Sequence, residues 1–212
     1  MKIIYDLGAN NGDDISYYLT KADKVVAVEA NPELANYIKD KFKDNPRVFV
    51  ENCAVVTTYE KTIDFYICSD HVRSCLNTPT EEPDRYVLTT VPARNVLELI
   101  KKHGKPHYIK IDIEFYDHII LEYLLKNGIR PPYISVEAHT IEVFCHLVTL
   151  GKYNKFKLIE GCMVSSEYPS FPHHAAGPFG EDIRGEWIDK EAFFKKLGEH
   201  NLGWKDIHAT YL

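Results

Sequence analysis

Asp6-Leu7-Gly8-Ala9-Asn10-Asn11-Gly12 stands between the apolar run Ile3-Ile4-Tyr5 and a stretch, Asp13 to Thr20, whose apolar positions Ile15, Tyr18 and Leu19 have helical spacing. Strand, glycine-bracketed turn and helix in that order predict the first βα unit of a nucleotide-cofactor fold. Glycine lets backbone approach a ligand where a β-carbon would collide, and the helix start aims free amides at it. Lys24 to Glu29 is a second apolar strand, and its terminal acid, Glu29, falls where a carboxylate accepts hydrogen bonds from ribose hydroxyls.

The spacing bears on which cofactor is held. A dinucleotide fingerprint reads Gly-x-Gly-x-x-Gly, whereas this turn reads Gly8-x-x-x-Gly12 and follows an acid, Asp6, that would repel a pyrophosphate. S-adenosylmethionine has no phosphate, one ribose, a cationic sulfur and an amino-acid end, and these acids suit it. The competing reading is a tight turn capped by Asn10 or Asn11 with no ligand.

Asp6 to Gly12 resembles the first motif of class I S-adenosylmethionine-dependent methyltransferases, and Glu29-Ala30-Asn31-Pro32 resembles their second. Asn52-Cys53-Ala54-Val55, Arg73-Ser74-Cys75-Leu76, Tyr108 to Glu114 and Ser135-Val136-Glu137 then resemble, in order, the succession in FkbM-type methyltransferases, over most of residues 1 to 160. The resemblance implies a doubly wound α/β fold with a mostly parallel seven-stranded sheet and an antiparallel last strand. It implies S-adenosylmethionine at Asp6, Gly8, Ala9, Asn10, Asn11, Gly12, Glu29, Asn52, Ser74 and Asp112, and O-methylation of a hydroxyl. One position departs from the pattern: Phe115 stands where the family usually has glycine after the glutamate of its Asp-x-Glu motif.

The 212 residues suit one domain with a substantial core, and 45% hydrophobic content is ordinary for a soluble protein. No apolar run approaches the roughly 20 residues needed to span a bilayer, and no charged leader precedes the first strand, so a cytoplasmic protein is expected. Five cysteines without Cys-x-x-Cys spacing exclude a full disulfide framework. A net charge of −6, with 31 acids against 25 scattered bases, disfavours nucleic acid as a partner.

Further along, Pro32 inside the next helix with Asn31 as its cap, and Asn45-Pro46 at its end, lead to a third strand, Arg47 to Glu51. Asn52 follows it as either an adenine contact or a turn former. Lys61 to Ile67 alternates like an edge strand, and the polar stretch beyond it, with Pro79 and Pro83, is read as a mobile loop to about residue 90. In Tyr108 to Glu114, isoleucines alternate with Lys110, Asp112 and Glu114, which predicts three ionisable groups on one face of a central strand. Buried charges of that kind pair with each other or with a ligand. His139, just past the strand Tyr133 to Val136, is either a proton acceptor or a helix cap.

Asp112, Glu114 and His139 are therefore the candidate base or acceptor-orienting groups. The proline- and glycine-containing stretch from Gly161 to Trp187 is expected to form a substrate lid, because irregular segments this long are commonly functional. His173-His174 lacks the spacing of a metal site, and no metal is expected. The expected partner is a small hydroxylated acceptor, a sugar among them. Two alternatives stand beside this reading: a nicotinamide-dependent oxidoreductase, disfavoured by the turn, and a non-catalytic S-adenosylmethionine-binding module.

Overall fold

The computed structural model describes residues 1–199 and 204–212. The chain runs β1 (Ile3–Leu7), α1 (Ile15–Lys21), β2 (Lys24–Glu29), α2 (Pro32–Lys41), β3 (Val48–Asn52), β4 (Ala54–Val56), β5 (Thr62–Cys68), β6 (Tyr86–Asn95), α3 (Val96–His103), β7 (Tyr108–Ile111) and α4 (Asp117–Lys126). It continues β8 (Tyr133–Glu137), α5 (Glu142–Thr149), β9 (Lys155–Glu160), α6 (Val164–Glu167), α7 (Lys190–Gly198) and β10 (Lys205–Thr210). Seven strands form the main sheet in the order β3-β2-β1-β7-β8-β10-β9, with β10 antiparallel to both its neighbours. The expected sheet is thus present, with its single reversed strand at the chain's end.

Pleating divides the core in two. Ile3, Tyr5, Leu7, Val26, Val28, Ile109, Ile111, Ile134 and Val136 face one side, packed with residues of α3, α4, α5 and α7. Ile4, Val25, Ala27 and Tyr108 face the other, packed with Ile15, Tyr18, Ile38 and Phe179. Strands buried on both faces must read as continuous apolar runs, as β1 and β2 do. Asp6 and Lys110, register partners on the α1 side, are buried exceptions, and both sit towards the carboxyl end where the site lies. Three helices, α2, α3 and α7, start where a side chain supplies a missing acceptor: Asn31 accepts from Glu33 N, Asn95 from Leu97 N, and Asp189 from Ala192 N.

A second sheet, β4-β6-β5, was not expected. Tyr86 to Thr90, read as part of a mobile loop, instead continues a ten-residue strand antiparallel to β5 and, at its far end, parallel to β4. Val87 and Leu88 are exposed, so this edge ribbon buries too little to show the alternation of a half-buried strand. Among the described residues no helix is long and apolar enough to cross a membrane.

His208 in β10 is 2% exposed, and its Nε2 has no hydrogen-bond partner. Burial, and then the charge of Lys157 opposite it, push its pKa down to about 3. The folded chain keeps this imidazole neutral while the unfolded chain takes up a proton near 6.5. Its contribution is therefore present above pH 6.5 and lost as pH falls from there towards 3. Relative to His208→Gln, the wild type should lose about 2 kcal/mol of stability between pH 7.5 and pH 5. Denaturant melts at each pH measure this, and parallel curves for the two proteins would refute it.

Candidate functional site

The carboxyl ends of β1, β2, β7 and β8 open on a cavity of about 480 Å³, within the range of small-ligand pockets. Its floor is the turn after β1. Gly8 N and Ala9 N both donate to Val28 O at 3.0 Å, Asn10 N donates to Glu29 Oε2 at 2.8 Å, and Gly12 N donates to Ala9 O at 2.8 Å. These four amides, which precede the helix, are spent within the protein. A turn built this way offers little to a pyrophosphate, which needs unpaired N–H donors. The glycines also have a different task from the one expected. A β-carbon on Gly8 would lie 1.7 Å from the carbonyl oxygen of Asp112, and one on Gly12 would meet Ile15 and Ile38, so they make room for neighbouring chain. Gly8, Ala9, Asn10 and Asn11 line the cavity, Gly12 does not, and Asn10 Oδ1 is buried with no partner.

Glu29 closes the next wall. Its carboxylate accepts from Asn10 N and Asn31 N, each at 2.8 Å, and burial pushes its pKa up to about 7. Each oxygen keeps a further lone pair for an incoming hydroxyl. Beyond it, Cys53, Ala54, Val55 and Phe65 make an apolar slot. Asn52 is not among the lining residues. Its side-chain amide donates to the carbonyls of Glu29 and Ala30 at 2.9 and 3.2 Å, so its role here is to tie β3 to the end of β2.

The charged wall differs from the expected strand face. β7 stops at Ile111, and the chain turns through Glu114 and Phe115 in the left-handed region, φ 53° and 66°. Lys110 and Asp112 do share a side, with Nζ 3.0 Å from Asp112 Oδ2, 3.5 Å from Asp6 Oδ1 and 3.3 Å from the Gly8 carbonyl. Glu114 reaches the cavity by the turn instead. Left-handed φ favours glycine, which accounts for the residue usual at position 115. Here Phe115 stays half exposed, its ring stacked on His139 with centroids 4.2 Å apart. His139 Nε2 lies 2.8 Å from Glu137 Oε2 and 3.5 Å from Glu114 Oε2. It does not cap the following helix, whose N-cap is Ile141. Burial works against its charge, but Glu114 and Glu137 outweigh that and hold its pKa up to about 10. A protonated imidazole is no base at neutral pH, which leaves the carboxylates as the proton acceptors. Burial raises the pKa of Glu114, which strengthens it in that role.

The remaining rim comes from two irregular segments. His71, Val72, Arg73, Ser74 and Leu76 line it from the side of the small sheet, and Ser74 Oγ accepts from Cys68 N at 3.0 Å. Within 161–187, His174 lines the cavity, while Phe179 is buried and stacked on Tyr108 with centroids 4.0 Å apart. Asp14, buried and also lining the cavity, accepts from Ala176 N and Gly177 N and so pins this segment beside α1. Sequence reasoning missed Asp14 and the apolar slot, and it assigned Glu137 no role beyond its place in the motif. The slot was within reach, since Cys53, Ala54 and Val55 directly follow Asn52. Asp14 was not, because its partners lie more than 160 positions away.

S-adenosylmethionine is the group these residues have to accommodate. An apolar slot, an acid with lone pairs free for the ribose, an unpartnered Asn10 Oδ1 and a wall rich in carboxylates facing a cationic sulfur fit it. The family model described as the methyltransferase FkbM domain matches residues 6–157. Among curated proteins nothing matches. Solved structures similar to this chain include the C-terminal domain of precorrin-6Y C5,15-methyltransferase from Rhodobacter capsulatus, at 12% identity and TM-score 0.45, covering 99% of this chain and 79% of that one. An rRNA methylase from Streptococcus thermophilus aligns at 10% identity and TM-score 0.47, covering 100% and 87%. A geranyl diphosphate methyltransferase solved in complex with SAM aligns at 8% identity and TM-score 0.47, covering 100% and 78%.

Proposed function

The chain belongs to the FkbM methyltransferase family, and on that premise we propose that it transfers the methyl group of S-adenosylmethionine to a hydroxyl oxygen of a small molecule, a sugar or other glycan unit. The observation that carries this reading is the carboxylate wall of Asp112, Glu114 and Glu137 beside the nucleoside slot. An ionised carboxylate accepts hydrogen bonds and offers none, and Asp112, which Lys110 holds below the usual carboxylate range against its burial, suits an acceptor presenting O–H groups. They also repel a phosphate backbone, as does the net charge of −6.

When bound, the cofactor supplies a methyl carbon on a cationic sulfur; the acceptor oxygen bonds to that carbon as the carbon–sulfur bond breaks. Glu29 and the slot of Cys53, Ala54 and Val55 hold the adenosine end. Lys110 fixes Asp112 at 3.0 Å, so that this carboxylate would be held in place to orient the acceptor. Glu114 takes the hydroxyl proton. Positioning of this kind, with a nearby base, supplies most of what a displacement needs. The segment from Gly161 to Trp187 is the acceptor lid in this reading, with Phe179 as its anchor and His174 as its edge on the cavity. The five free cysteines suit a reducing, cytoplasmic setting.

Two measurements test the reading. Glu29→Gln should weaken S-adenosylmethionine binding ten- to a hundredfold in calorimetry, the loss of hydrogen bonds to a charged group being about 1.5–3 kcal/mol. Because Glu29 has a pKa of about 7 in the free protein, wild-type affinity should also fall below that pH as protons compete with the ribose hydroxyls, and the variant should lack that dependence. Methyl-labelled cofactor should then mark a hydroxylated acceptor through a base-stable ether. Label in ribosomal RNA or on an amine would refute the choice of acceptor.

A further inference from the structure

We propose that Glu114, Glu137 and His139 form a binding site for a divalent cation on the acceptor side of the cavity. Glu114 comes from the left-handed turn after β7, Glu137 ends β8, and His139 lies two residues further on. One ligand atom from each, two carboxylate oxygens and an imidazole nitrogen, lie within 4.8 Å of one another, and this is the one such group of three among the described residues. His173-His174, the histidine pair that stands out in the sequence, belongs to no such group there.

The three atoms converge, and a metal ion among them would take the place of the proton that Glu114 and Glu137 hold on His139 Nε2 in the free protein. His139 Nε2 is 2.8 Å from Glu137 Oε2, yet neither atom has a hydrogen bond of acceptable geometry, and both are buried. Glu137 is 5% exposed, so a carboxylate oxygen that meets His139 as an ion pair but accepts no hydrogen bond is held out of water at the cavity wall. Leaving such an oxygen without a hydrogen bond costs more than it would in water, and a cation shared by all three ligands removes the deficit. Formal charge points the same way. Asp14, Asp112, Glu114 and Glu137 line the cavity together with Lys110, whose ammonium is taken by Asp6, Asp112 and the Gly8 carbonyl.

The donor set narrows the metal. Carboxylates suit Mg²⁺ and Mn²⁺, and imidazole shifts preference towards transition ions, so Mn²⁺ is served by both ligand types. Phe115 stacks on the His139 ring with centroids 4.2 Å apart and so covers one face of the imidazole. Resting on the proposed O-methylation, the cation's role would be to bind the acceptor's hydroxyl oxygen and ease loss of its proton to Glu114 or solvent.

The test uses Mn²⁺ alone with the whole chain, without cofactor or acceptor, so that its outcome is independent of whether the acceptor is correctly assigned. Loss of the free Mn²⁺ paramagnetic resonance signal should titrate to one ion per chain. Glu114→Gln and Glu137→Gln, each checked for native circular dichroism, should raise the dissociation constant tenfold or more. Glu122→Gln, on an exposed helical ion pair with Lys126, should leave it unchanged. No saturable binding by wild type, or binding that survives unchanged in the Glu114→Gln, Glu137→Gln double variant, overturns the proposal. Should one of the single variants unfold, His139→Gln gives the same comparison.

Discussion

Replacing Lys110 by Met is expected to cost about 3 kcal/mol of stability at pH 7, with the deficit shrinking as pH falls. Lys110 is 4% exposed, and its ammonium is the counterion of Asp6, itself 1% exposed, and of Asp112. Methionine fills similar volume, so the cost is electrostatic: one partner of a buried pair is removed and the other is left without compensation. The figure sits at the low end of the usual 3–5 kcal/mol because Asp6 has an escape. Burial already lifts its pKa to about 6 in the presence of the lysine. Without Lys110 the carboxyl rises further and takes a proton. An acid whose folded pKa is raised contributes stability that is intact below its unfolded value near 3.9 and lost as pH rises through the folded value. Denaturant melts should therefore show the variant weakest at pH 8 and closest to wild type near pH 4.5. A constant gap across that range would mean the loss is one of packing.

That ion pair also shows how much could be read beforehand. Asp6 and Lys110 are legible as anomalies, since each interrupts an otherwise apolar parallel strand, and such strands tolerate charge only where it is paired or functional. The seven-stranded sheet was legible through the family resemblance. What periodicity could not yield is where β7 stops. Isoleucine alternation runs to Ile113, but the strand ends at Ile111, because a turn is needed to bring Glu114 round to His139. Nothing local in Glu114-Phe115 announces left-handed backbone, for neither residue favours it. The reactivity of His139 was likewise illegible. A lone histidine suggests a base, and only the arrival of Glu137 and Glu114 beside it makes it a cation instead. Of the small sheet, β5 was legible as an edge strand, while the start of β6 escaped because its apolar residues Val87 and Leu88 face solvent.

Gly8→Ala should abolish detectable cofactor binding and cost roughly 2–4 kcal/mol of stability. The added β-carbon would stand 1.7 Å from the Asp112 carbonyl oxygen, 2.8 Å from its carbon and 3.2 Å from Ile113 Cγ2, with φ at +85°. The nearest obstacle is backbone, so it cannot step aside as a flexible side chain would. Either the turn after β1 lifts, moving Ala9 and Asn10 away from Glu29, or the end of β7 moves, carrying Asp112 and the turn with Glu114. Both routes damage the cavity, one on the nucleoside side and one on the acceptor side. Gly128→Ala separates this clash from simple backbone strain. Gly128 has φ +74°, and a β-carbon there meets nothing within 4 Å, so it should lose about 1 kcal/mol and leave binding intact. If Gly8→Ala behaved like Gly128→Ala in both melts and calorimetry, the close approach of β1 and β7 would not be what shapes the site. If it loses binding with Gly128→Ala as a silent control, the first glycine of the motif is there to let two strand ends meet, and the cofactor occupies the space their meeting defines.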